Sequence, residues 1–363
     1  MIIDVHGHIT HPDLFKRFPM PPALADIEGM LDRKAAVGID MTLVGSPVGF
    51  GTMMPVPGLD NYAQPIDQLR SFHEWLAETV QKHAGRLGAY AYTNPFGGDE
   101  LLAETARTVR EGGFVGLIVN TSVKGAYLDA PEADAFFDMV DELDVPVVLH
   151  PPAEPVGSGS ISDFRLVEQV GRFVDVTVGL ASIVFGGRLE RHPDLKLLAV
   201  TAGGAIGLLY SRLDSAYAPR HYGGGPPGGG PPGGGGPPGG GGPPGGGGPP
   251  GGGGPPGGGP PGGKPGGGGP PIRFENKITR PPSEYLRRVY VDTANSSVPN
   301  HLANLELMGA DHMMFGTDSP PLATPLEDAI ALVRALPVSD EDKENILSGN
   351  ARRLFKLDGA AAG

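Results

Sequence analysis

The sequence predicts an α/β fold, a parallel (β/α)8 TIM barrel, on three observations. Eight short runs rich in β-branched and other apolar residues recur along the chain, segments with helical spacing lie between them, and polar residues gather just after the runs. No GxGxxG or GxxxxGK[ST] follows any run, so the competing open sheet lacks its usual nucleotide-binding support.

The runs come in order as "MIIDV" at 1–5, "DMTLVG" at 40–45, "LGAYAY" at 87–92 and "FVGLIV" at 114–119. "VPVVLH" at 145–150, "LKLLAV" at 195–200, "RVYVDT" at 288–293 and "HMMFGT" at 312–317 complete the eight. Between the first two, Leu24, Ile27, Leu31 and Ala35 recur every three or four residues in a segment, 23–38, that stops at Gly38. "LLAETARTVREGG" and "PEADAFFDMVDELD" follow the same pattern, the second opening on a Pro suited to a first helical turn. Trp75, in "FHEWLAETV", is expected on the core face of such a helix.

Composition limits what the chain can do. Residues 223–271 are all Gly or Pro except Lys264, a stretch with nothing to bury and an expected disordered insertion between strands six and seven. Residues 1–222 and 272–363 are left as one catalytic barrel, a length that a single domain of this class accommodates. The 363 residues carry a formal charge of −13 and no cysteine. Disulfides and thiolate zinc sites are excluded, and an acidic chain is a poor ligand for nucleic acid. No membrane-length apolar run or signal-type start occurs, so a cytoplasmic protein acting on a small molecule is expected.

In such a barrel the active site gathers at the carboxyl ends of the strands. Those ends offer His6 and His8, Asn94, Asn120, His150, Thr201, Asn295 and Asp318. In a strand, positions two apart share a face, so His6 and His8 can serve one ion. Three imidazoles and the Asp318 carboxylate, without thiolate, suit one divalent cation, zinc first and manganese as the alternative. Such an ion lowers the pKa of a bound water towards roughly 7.

"DVHGH", "VVLHPP", "GRLERHPDLKLLAVTAGGAIG", "YVDTA", "FGTDSPP" and "ILSGNARRLFKL" stand in one order over nearly the whole chain outside the Gly/Pro segment. In these motifs the chain resembles the amidohydrolase-related family that includes aminocarboxymuconate-semialdehyde decarboxylase, resorcylate decarboxylases and oxalomesaconate hydratase. The resemblance implies a barrel of the metal-dependent hydrolase type with one metal at His6, His8, His150 and Asp318. It also implies a histidine ending strand six in an HGGGA pattern, where this chain reads "VTAGGA" and places Thr201. A threonine hydroxyl hydrogen-bonds but does not take up a proton at neutral pH. Three explanations stand: Asp318 acts as the base, Glu154 or His221 replaces the histidine, or catalysis has been lost from a surviving metal shell.

Ser46, Asn94, Asn120, Lys124 and Asn295 are expected to line the substrate pocket, with Lys124 the cation of the fourth loop. A substrate with one carboxylate, or a neutral polar one, follows from so few cations. His11, His73, His83, His192, His301 and His312 lie away from the strand ends and are expected to be mostly solvated. The expected function is a metal-dependent decarboxylase or hydrolase of a small carboxylated or oxygenated ring compound, with a catalytically silent metal-binding barrel as the alternative. The resemblance allows a homodimer.

Overall fold

A computed structural model describes residues 1–54, 56–161, 163–217, 277–323 and 325–357. His221 and the Gly/Pro segment 223–271 lie outside the described residues. Among the described residues eight strands form one sheet: β1 (Ile3–Gly7), β2 (Met41–Val44), β3 (Leu87–Tyr92), β4 (Gly116–Asn120), β5 (Val147–His150), β6 (Leu197–Ala199), β7 (Tyr290–Asp292) and β8 (Met313–Met314), with a separate short antiparallel pair, Ser122–Val123 and Ala126–Tyr127, after β4. Each strand of the sheet pairs in parallel with the next. The last meets the first where the Val5 N–H donates to the Phe315 carbonyl at 2.9 Å and the Asp318 N–H to the His6 carbonyl at 2.8 Å. The eight runs are therefore eight barrel strands, each near its predicted place.

Alternation along the strands sorts the side chains into two layers. Tyr90, Tyr92, Ile118, Val148, Leu198 and Met314 form an inner cluster, while Ala89, Leu117, Val147, Leu149, Leu197 and Phe315 pack outward among the helices. The same parity that sends Val148 inward sends His150 inward one step later. β1 breaks this rule once: Asp4 faces Thr42 and Gly7 faces Val44, so β1 has one residue more than β2 over that interval. A bulge of this kind re-aims a side chain. Here Val5 joins the inner cluster, and the adjacent His6 also turns inward, its ring reaching Asp292.

The main helices among the described residues are α1 (Ile27–Ala36), α2 (Ile66–Lys82), α3 (Gly98–Gly112), α4 (Asp134–Leu143), α5 (Arg172–Phe185), α6 (Ile206–Tyr217), α7 (Val298–Met308), α8 (Leu326–Arg334) and, near the end, the short α9 (Asn350–Leu354). Between them lie shorter turns such as Pro22–Leu24, which separates Leu24 from the helix expected to contain it. The Asp26 carboxylate accepts the Gly29 N–H at 3.0 Å and so starts α1 three residues later than the apolar spacing suggested. Gly38, at φ +88°, ends that segment in a conformation that glycine adopts without strain. Trp75 packs half-buried against the core, as expected.

The remaining histidines correct one expectation. His73, His83, His192 and His301 are buried rather than solvated. His73 accepts the Tyr92 N–H at 3.1 Å and His301 bonds the Asn295 carbonyl at 2.6 Å, so each uses one ring nitrogen in the packing against the barrel, while the Nδ1 of each is buried without a partner among the described residues. Among the described residues no helix is long and apolar enough to cross a membrane.

Candidate active site

His6, His8 and His150 converge inside the barrel mouth. Their ring centroids lie 5.0 to 5.4 Å apart, each pair of planes within 7° of perpendicular. One ligand nitrogen from each falls within 4.8 Å of the others, a spacing that could hold one metal ion. His8 Nε2 stands 3.2 Å from His6 Nε2. The Asp318 carboxylate lies 3.1 Å from His8 Nε2 and 3.6 Å from His6 Nε2.

The opposite nitrogens are all engaged. His8 Nδ1 lies 2.9 Å from the Gly45 carbonyl and His150 Nδ1 2.8 Å from the Pro151 carbonyl, acceptors that place a proton on each Nδ1. His6 Nδ1 lies 2.6 Å from the Asp292 carboxylate. Each ring thus turns Nε2 and its lone pair toward the common centre, the tautomer a metal ligand needs. These donors fit one divalent cation.

The electrostatics agree. Burial disfavours a charged His6, yet Asp318, the hydrogen bond and charge of Asp292, and Asp4 push its pKa up to about 9. His150 is pushed far the other way by burial and by His8 and His6. Burial would raise Asp318, but the charge of His6, the hydrogen bond and charge of His8, and His150 hold it at about 2. A half-buried carboxylate beside three buried imidazoles draws positive charge to one point, and the rings repel one another when that charge is protons.

The shell around the triad was only partly foreseen. Asp292 was missed: it ends β7 at the inward parity of "YVDT", and it also accepts the Ala202 N–H at 2.7 Å. It therefore ties His6 to the loop that carries Thr201. Gly316 is required between them, since a Cβ there would meet Asp292 Oδ2 and His6 Cβ at 3.1 Å each. Asp4 accepts the Thr317 hydroxyl at 2.6 Å, the Thr317 and His6 N–H groups at 3.0 Å each, and Lys34 Nζ at 2.5 Å. This buried cluster fixes the turn from which Asp318 projects.

The predicted catalytic and substrate residues separate. Thr201 and Asp318 both adopt left-handed backbone, φ +57° and +53°, a strained state for a β-branched threonine. The Thr201 hydroxyl has no hydrogen-bonding partner among the described residues. Glu154 stays out of the metal cluster; it is exposed and lines a mouth cavity of about 310 Å³ with Tyr62, Asp60 and Lys124. Ser46 donates to the Gly49 carbonyl, and Asn94 bonds the Tyr62 carbonyl and the Phe96 N–H. Asn295 accepts the Ser297 N–H. Ser46 and Asn295 thus brace their own loops, and Asn94 ties the loop after β3 to the loop after β2 through Tyr62. Asn120 keeps an open function: it pairs with His150 across β4 and β5, and its buried Nδ2 has no partner. Lys124 is 60% exposed and paired with Asp60 at 2.5 Å.

A family model described as amidohydrolase matches residues 3–217 and 253–357. The chain belongs to the amidohydrolase family. It is an enzyme of the amidohydrolase superfamily. Among relatives of this amidohydrolase, 2-amino-3-carboxymuconate-6-semialdehyde decarboxylase of Dictyostelium discoideum is 22% identical over 86% of this chain and 74% of its own length. Gamma-resorcylate decarboxylase of a Rhizobium species is 25% identical over 84% of this chain and 81% of its own. Among solved structures, a dihydroxybenzoic acid decarboxylase from Polaromonas, with bound manganese and 2-nitroresorcinol, superposes with a TM-score of 0.71 at 19% identity. That match covers 100% of this chain and 99% of the other. The 5-carboxyvanillate decarboxylase of Sphingomonas paucimobilis gives 0.71 at 18% identity over 98% of both chains. At such identities the superpositions establish the shared barrel.

Proposed function

We propose that this amidohydrolase-family enzyme removes CO₂, without oxidation, from a small hydroxylated aromatic carboxylate. The observation that carries the reading is the convergence of three Nε2-presenting imidazoles with Asp318 at the mouth of a barrel. Decarboxylation is favoured over hydrolysis because the relatives matched over most of the chain are named as decarboxylases. His6, His8, His150 and Asp318 would hold the ion, and manganese, named with the Polaromonas structure, takes precedence over zinc. When bound, it supplies Lewis acidity toward substrate oxygens.

In the reaction the bond between the ring carbon and the carboxyl carbon breaks, its electron pair stays on the ring, and a proton replaces CO₂. A side chain must hold that proton at the right place. Thr201 does not at neutral pH. Asp318, ionised and set against His8, can receive a proton from a phenol or water and return it to the ring carbon. Asn120 Nδ2, beside His150, is a free donor for a substrate oxygen.

The test is CO₂ release from 2,6-dihydroxybenzoate and related acids by the purified enzyme. Release that disappears in Asp318→Asn, with metal and fold retained, and that persists within about threefold in Glu154→Gln supports the reading. A product formed by net water uptake, or activity that first appears in Thr201→His, overturns it; the latter outcome favours the silent barrel.

A further inference from the structure

We propose that Arg172 binds the substrate carboxylate at the barrel mouth and so selects a monoanionic ring compound over a neutral one. The inference rests on the proposed function in taking a carboxylate as ligand, and it replaces Lys124 as the pocket's cation.

Arg172 is the first residue of α5 and follows a wide turn, Val167–Gly171, whose hydrogen bonds span five residues. Turns of this kind often mark functional sites. Its surroundings place it over the carboxyl ends of the strands. One turn on, Asp175 accepts the Thr121 hydroxyl at 2.5 Å, the Ser122 hydroxyl at 2.9 Å and the Val156 N–H at 2.9 Å, all just past β4 or β5. Thr177 accepts the Ala205 N–H at 2.8 Å, in the loop after β6. The guanidinium itself donates to the Met53 carbonyl at 3.2 Å, in the loop after β2. The first turns of α5 therefore contact four strand-end loops, and Arg172 itself reaches the one after β2.

Arg172 is half-buried, yet among the described residues it makes no ion pair, and its buried Nε–H has no acceptor. Burial disfavours its charge, while Glu168 and Asp318 act on it in the opposite sense, which sets it within electrostatic reach of the metal-site carboxylate. A guanidinium taken from water without a counter-ion is costly, and its rigid fork matches a carboxylate. Lys124, by contrast, is already paired with Asp60.

Calorimetric titration of the metal-loaded enzyme with 2,6-dihydroxybenzoate, benzoate and neutral resorcinol tests the assignment. Arg172→Gln is expected to weaken both carboxylates by about 10- to 100-fold and to leave resorcinol and metal content unchanged. Arg172→Lys, which keeps the charge but loses the fork, should fall between parent and Arg172→Gln, and it decides the matter if the glutamine variant fails to fold. Equal weakening of acids and resorcinol, unchanged binding in both variants, or a parent that binds no carboxylate overturns the proposal. Carboxylate binding that depends on Arg172 without CO₂ release upholds it and overturns the decarboxylase reading instead.

Discussion

Asp292 shows how a residue outside the ligand set governs the site. Its carboxylate holds the His6 Nδ1 proton at 2.6 Å and the Ala202 N–H at 2.7 Å, so one side chain orients a ligand ring and the loop of Thr201 together. Removing its charge while keeping its shape should loosen the ring and lower its basicity. Asp292→Asn is expected to weaken metal binding by about 10- to 100-fold, read by titrating chelator-stripped protein with Mn²⁺. Unchanged affinity would mean that the bond is structural only. At this scale the histidines and Asp318 were legible because HxH and a strand-end acid have few other uses in a barrel. Asp292 was legible in principle from inward parity. Arg172 was not, since nothing in a helix-opening arginine says which loops will meet it.

At the scale of elements, β1 and its neighbours do two jobs. The bulge between Asp4 and Gly7 lets Val5 serve the core while His6 and His8 face His150 at the barrel mouth, and the outward Asp4 meets Lys34 of α1. Both charges are buried, at 0% and 2% exposure. Lys34→Met leaves the Asp4 carboxylate with three other donors but no counter-charge. It should cost about 3 kcal/mol of unfolding free energy, measured by denaturant titration, near the low end for a broken buried pair. No loss would show the pair to be dispensable. On α2, burial pushes His73 down to about 4 from an ordinary 6.5. Because the folded value is the lower one, its contribution is whole above pH 6.5 and is lost as pH falls through about 4. The amount is about 3 kcal/mol. Unfolding curves at pH 7.5 and 4.5 should show that loss in the parent and a smaller one in His73→Gln. Equal losses would contradict the assignment. The strands and most helices were readable from period, but the buried histidines were not, because a helix face shows apolar spacing without showing what lies opposite.

For the whole molecule, eight alternating units foretold the barrel and its strand ends foretold where the ligands meet. Which loop side chains point inward depends on how each loop closes on itself and on its neighbours: Ser46 and Asn295 bond within their own loops, and Asn94 bonds both its own loop and the one after β2. In protein stripped of metal, His6 stays charged up to about pH 9. Its folded value lies above the ordinary 6.5, so its contribution to stability is whole below pH 6.5 and fades as pH rises through about 9. Metal binding must displace that proton, and affinity should therefore rise with pH. The account as a whole depends on one cation held by His6, His8, His150 and Asp318. Elemental analysis of protein purified without chelator, set beside a His6→Ala His8→Ala double variant of matched fold, tests this most directly. About one equivalent of a divalent metal in the parent and almost none in the variant is the expected result. A metal-free parent that cannot be loaded, or a variant that keeps its metal, would contradict it.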